Sequence, residues 1–274
     1  MPPPPRPQFG RWILIGGNQD RTSFPDYHSS ETQHHRWNWV RYSQAVLAQL
    51  RLIGSRHVGQ FVLGAIARRV MIVPVQGEIP DNAEARSTTN VDGPFSLIGN
   101  RSFQSAENAV YACQVGTVIP QNGLACTGGG TEALVDYTPG FFVRSNPLYN
   151  QRQGQQPDEV LLHELVHAMR ITRGVWDPTP TAGSLARYTS NDEFHAILLT
   201  NIYRSAHTRG RLRGDHSLDF HTLQNPSAFY SRPDNRRMVA ALCQQLPDMT
   251  RNLAVIDCGF NPIRQHYQAT GQLD

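Results

Sequence analysis

One short segment of this 274-residue chain places chemically active residue types at a spacing that lets them act together: His163-Glu164-Leu165-Val166-His167. On a helix, residues four apart lie about one turn apart on the same face, so both imidazoles can reach one cation. Two ring nitrogens at about 2.0–2.1 Å from a Zn²⁺ are ordinary zinc ligation. Glu164, beside them, is placed to take a proton from a water activated at such a metal. With 11 histidines in the chain, chance supplies this pattern in roughly one such sequence per hundred.

The segment needs a helix under it, and its flanks specify one. Pro157 suits the first helical position, and Asp158 and Glu159 favour the positive end of the dipole. Arg170 and Arg173 suit the last turn, and Gly174 is a natural stop. Leu161, Leu162, Leu165, Val166 and Met169 supply apolar surface for packing. A catalytic zinc takes a third protein ligand and leaves one position open. The next predicted helix, Ser190 to Tyr203, offers Glu193, Asp192 and His195. Glu193 shares a face with Ile197 and Thr200 and is favoured, with Asp192 next. Ser190-x-x-Glu193 also reads as a capping box, which gives Glu193 a purely local alternative.

The rest of the chain is read for what supports these two helices. Helices are expected from Trp37 to Ile53 and from His57 to Ala67, and a buried strand from Val70 to Val75. Short strands are expected around Val110 to Cys113, Thr117 to Ile119 and Glu132 to Tyr137. The class is α+β: a small mixed sheet packed on the His163–His167 helix, with a following ligand-bearing helix. Residues 1–35 read as a Pro/Gly-rich N-terminal extension or linker whose one apolar patch, Trp12 to Ile15, could form a short strand, and residues 36–274 as one domain.

Composition narrows the function classes. At 39% hydrophobic and 17% charged residues the chain is not disordered, and no apolar run is long enough to span a membrane. A net charge of +3 does not argue for nucleic acid. Arg209-Gly-Arg-Leu-Arg213 and Arg68-Arg69 read as solvated faces. All 25 basic residues are Arg, so no side chain can accept ubiquitin, a useful property inside a eukaryotic host. The Pro-rich start lacks the apolar core of a signal peptide, which points to a dedicated export machine or a larger parent chain. Cys113 with Cys126 and Cys243 with Cys258 form two sequence-local couples, each able to close a short loop in an oxidising compartment.

The chain resembles the gluzincin-type zincin metallopeptidases and, more closely, bacterial effector and toxin peptidases related to NleD and peptidase domains attached to type VI secretion spike proteins. The resemblance spans roughly residues 42–266. It rests on Leu162-His-Glu-Leu-Val-His-Ala-Met-Arg170, Asp192-Glu-Phe-His-Ala-Ile-Leu-Leu-Thr-Asn-Ile-Tyr203, Arg213-Gly-Asp-His216 and Phe260-Asn-Pro-Ile-Arg264. It implies Zn²⁺ as cofactor, His163, His167 and Glu193 as metal ligands and Glu164 as the catalytic residue. It further implies a monomer delivered to a target cell, in periplasm or host cytoplasm, by a secretion apparatus or a spike or carrier protein. There it would cleave a protein substrate. Glu132 to Tyr137 is placed like the zincin edge strand, expected to pair with an extended substrate. Tyr203, His216, His221 and Tyr230 are candidates to stabilise the tetrahedral oxyanion. The rival reading is a catalytically silent binding module on the same fold. An intact Glu164 speaks against it, because holding a metal does not require that residue.

Overall fold

The computed structural model describes residues 8–16, 39–73, 83–88, 110–119, 123–137, 156–216 and 221–273. Its strands are β1 (Gln8–Phe9), β2 (Ile13–Ile15), β3 (Val70–Val73), β4 (Ala83–Thr88) and β5 (Glu132–Tyr137), in one sheet of order β1-β2-β3-β5-β4. The inner three are parallel, and β1 and β4 run antiparallel at the two margins. Val70-Met-Ile-Val73 is an unbroken apolar run with all four residues buried, as a parallel strand covered on both faces requires. Parallel neighbours need a crossover. The segment joining β2 to β3 contains α1 (Trp39–Gly54) and α2 (His57–Ala65).

Two expectations change, at Glu132–Tyr137 and at the segments around Val110 and Thr117. The short strand expected inside the 1–35 stretch does form: Ile13–Ile15 is a strand of this sheet. Ile13 pairs with Val70, and both Ile13 and Ile15 are buried. The apolar patch joins the sheet because β3 offers it a hydrogen-bonding edge, so the sheet reaches upstream of residue 36. His34 and His35 lie outside the described residues. Glu132–Tyr137 is not an edge strand: its backbone bonds β3 on one side and β4 on the other, from Ala83↔Tyr137 to Thr88↔Glu132. Among the described residues, β4 is the outer strand on that side. The segments at Val110 and Thr117 form no strands. Residues 110–112 are helical, and Cys113 and Val118 make isolated bridges to Trp176 and Ala125.

The helix carrying the two histidines, α3 (Pro157–Thr172), lies against β4 and β5. On its other side packs α4 (Asn191–Ala206), with α2 touching both. Beyond α4 lie α5 (Pro233–Gln245), α6 (Pro247–Ala254) and α7 (Pro262–Ala269). Every residue of α3 from Asp158 to Thr172 is buried, so this helix runs through the core. Its start is fixed by Glu159, whose carboxylate accepts from the Gln156 N–H at 3.1 Å. Its end is fixed by Gly174 at φ +68°, where a Cβ would lie 2.3 Å from the Gly128 carbonyl oxygen. That close approach ties the 128–130 glycines to the helix terminus.

Cys113 and Cys126 form a disulfide, Cα to Cα 5.4 Å. The second couple does not: Cys243 and Cys258 are free. Cys243 is buried on α5 against Thr250 and Tyr267, and burial pushes its thiol up to about 11. Cys258 instead turns its thiol to the Phe260 carbonyl at 3.3 Å. Proximity in sequence places the two thiols in different packing environments here.

Candidate metal centre

The register of α3 and α4 brings three side chains to one point. His163 and His167 set their Nε2 atoms 3.1 Å apart. Glu193, in the first turn of α4, places Oε2 3.1 Å from His163 Nε2 and Oε1 3.3 Å from His167 Nε2. Donors bound at 2.0–2.1 Å around a tetrahedral ion stand about 3.3 Å apart. All three separations match that figure, so the residues fit a zinc ion. Glu193 also clarifies its own ambiguity. Its backbone N–H donates to Ser190 Oγ at 3.2 Å, half of a capping box, while its carboxylate turns to the histidines.

Asp192 does not join the donor set; it stands behind it. Its Oδ2 lies 2.5 Å from His167 Nδ1 and its Oδ1 accepts from Arg170 Nε at 2.5 Å. A carboxylate on Nδ1 fixes the tautomer that leaves the Nε2 lone pair facing the donor triangle. Arg170 is fully buried and spends its remaining donors on Gln245 Oε1 at 2.8 Å and the Val175 carbonyl at 2.6 Å. Gln245 in turn donates to Gln114 Oε1 at 2.5 Å. A chain of bonds therefore runs from the residue beside Cys113 to a donor histidine. Sequence reading assigned Arg170 to the helix dipole. The missed signal is that it follows His167 by three residues and so shares its face.

The electrostatics suit a cation. Burial pulls His163 down to about 4, so its imidazole is neutral with a lone pair available. Burial acts on His167 in the same sense, but Glu193 and Asp192 outweigh it and raise that group well above its ordinary value. Glu193 is pushed up by burial, yet His167 and His163 hold it far below the usual carboxylate range. Asp192, although buried, is held down by Arg170 and His167.

The remaining candidates divide. Glu164 is 8% exposed and adjoins His163 in the chain. His216 lies at the site: its Nε2 is 3.2 Å from Glu193 Oε2, and it offers a donor atom within 4.8 Å of those of His163 and Glu193. Tyr203 is turned elsewhere, its hydroxyl donating to Asp158 Oδ2 at 2.7 Å, about a turn and a half up α3 from His163. Tyr230 bonds His266 on α7 at 3.0 Å, and His221 bonds Asp215 at 2.5 Å. His195 is buried with Nε2 on the Met238 carbonyl at 3.0 Å, away from the donor triangle. Arg209, read as part of a solvated face, instead bonds Asp158 and Glu159 at 2.9 and 2.7 Å.

Compared with known families, residues 40–218 match the Peptidase_M91 family, whose description reads "Effector protein". A search of curated proteins returns no match. The matched span contains both donor helices and His216.

Proposed function

Because the chain belongs to the Peptidase_M91 effector family, we propose that it is a zinc-dependent endopeptidase that hydrolyses a protein of the cell into which it is delivered. The observation that carries this is the donor triangle of His163, His167 and Glu193, with separations of 3.1, 3.1 and 3.3 Å beside Glu164. His163, His167 and Glu193 would hold the ion. When bound, zinc supplies Lewis acidity and lowers the pKa of a water to about 7.

The protein's own groups do the rest. Asp192 keeps His167 in the ligating tautomer, and Arg170 keeps Asp192 in place. Glu164 takes a proton from the attacking water and returns it to the leaving amine, so one carboxyl serves as base and then acid. An extended substrate strand would add to the sheet along β4, which among the described residues is the outer strand next to α3. Delivery by a bacterial secretion system, with a spike or carrier protein, belongs to the same proposal. So does the one-domain organisation, now including the strand at Ile13–Ile15.

The test is N-terminal labelling of target-cell lysate after incubation with zinc-loaded protein. Wild type should create new protein N-termini and Glu164→Gln should create none. Equal labelling by both, or by neither, overturns the reading.

A further inference from the structure

The donor triangle uses two helices, but a third imidazole reaches it from an irregular segment. His216 is anchored there by its backbone N–H, which donates to the Arg187 carbonyl at 2.9 Å. Its ring lies parallel to that of His163, with 6° between the planes. Its Nδ1 stands 3.2 Å from Thr189 Oγ1. The same hydroxyl lies 2.7 Å from the Tyr188 carbonyl; donating its proton there, it accepts from His216 and favours the tautomer with the ring hydrogen on Nδ1. Thr189 pays for this placement with a φ of +61°, which a β-branched residue rarely adopts.

In that tautomer Nε2 directs a lone pair at the site, 3.2 Å from Glu193 Oε2, and the donor atoms of His163, Glu193 and His216 all lie within 4.8 Å of one another. Donors gathered so closely suit a cation held between them. The fixed outer N–H and inward lone pair are the arrangement of a metal-ligating histidine. We propose that His216 is a fourth, displaceable donor to the metal held by His163, His167 and Glu193. The proposal rests on the zinc reading above and goes beyond it in one respect: the resting site is closed by protein.

Hydrolysis needs an open position at the metal, so one donor has to leave. His216 is the one built to do so. His163, His167 and Glu193 are fixed on helices, with side chains 9%, 9% and 19% exposed, whereas His216 stands outside them at 34%. Substrate arriving over the site would displace His216 and complete the catalytic arrangement.

The test measures metal rather than activity. Zinc affinity is read by chelator competition on the full chain for wild type, His216→Ala, Thr189→Val, Thr189→Ser and, as a control, His167→Ala. Visible spectra of the Co²⁺-substituted proteins report the donor number. Thr189→Val should weaken zinc by about 10-fold, as loss of an outer partner does, and His216→Ala by more, while Thr189→Ser keeps wild-type affinity. The Co²⁺ spectrum should change in His216→Ala. Unchanged affinity and spectrum in His216→Ala overturn the proposal, leaving His216 as an imidazolium paired with Glu193. If His167→Ala also leaves affinity unchanged, the zinc reading itself fails, so the two failures are distinguishable.

Discussion

The buried interface between α3 and α4 contains two charged clusters, and they are balanced differently. At the start of α3, Asp158 and Glu159 meet Arg204 and Arg209: two carboxylates and two guanidiniums, directly bonded, with the Tyr203 hydroxyl on Asp158. A turn and more along the same helix, Asp192 and Glu193 bond the imidazoles of His163 and His167, and Arg170 is the guanidinium bonded to Asp192. The first cluster neutralises itself with protein groups. The second turns the Glu193 carboxylate and two inward-facing ring nitrogens toward one another, a donor set that suits a divalent cation. Burial is equally deep in both, so depth alone does not mark a site. The kind of partner does: permanently charged guanidiniums close a network, while imidazoles, which can give up a proton and offer a lone pair, leave room for an ion.

The largest effect should come from removing that ion's donors. His163→Ala or His167→Ala should each take zinc from close to one per chain to near none and abolish proteolysis, measured by metal analysis and cleavage assay. Full occupancy in both variants would erase the distinction between the clusters. Glu164→Gln should come next, lowering kcat/KM by about 10²–10⁴-fold while zinc content stays at wild type. Retained activity there would assign the proton transfer to another group.

Much of this second cluster was legible in the sequence because it is local. HExxH spacing, the Pro157 and Gly174 boundaries, and a carboxylate in the first turn of the next helix are all readable from short-range pattern. The Val70–Val73 strand is legible for the same reason: four apolar residues in a row. What escaped depends on distant pairings. Ala83–Thr88 has no strong apolar alternation, so nothing local says that it, rather than Glu132–Tyr137, lies outermost. Arg170 looks like a helix-end residue until Asp192, 22 residues on, and Gln245, 75 residues on, come to meet it. Arg209 in its basic run looks solvated until α3 places Asp158 and Glu159 beneath it. Of two equally plausible cysteine couples, only tertiary packing chose one.

The self-neutralised cluster should answer to stability instead of metal. Arg204 and Glu159 are bonded with side chains 4% and 1% exposed. Burial raises the Glu159 pKa despite both arginines and lowers that of Arg204, so each ion depends on the other. Arg204→Met should cost about 3–5 kcal/mol by breaking a buried pair and leaving Glu159 only the more exposed Arg209, with zinc affinity unchanged. The double variant Arg204→Met/Glu159→Leu should recover part of the loss in denaturant unfolding. Reduction of Cys113–Cys126 should act on a similar but smaller scale, about 3 kcal/mol for a loop of this size. Alkylation without reduction should modify Cys243 and Cys258 alone, and four modified cysteines in folded protein would refute the bridge.

The smallest expected effect is the most discriminating, because it separates two adjacent carboxylates on one helix turn. Glu193→Gln removes a proposed donor and should weaken zinc more than Asp192→Asn, which removes only the group that orients His167. For Asp192→Asn the expected loss is about 10–100-fold in zinc affinity. Arg170 reaches His167 only through Asp192, with 2.5 Å bonds on either side. Arg170→Met should therefore weaken zinc in the wild-type background and add little once Asp192 is Asn. A double-mutant cycle on chelator competition reads this coupling directly. Additive losses would mean that Arg170 supports the fold without steering the histidine. Near-complete coupling would extend the metal-type cluster outward through Arg170 to Gln245, so that its boundary falls at Gln114, beside the disulfide.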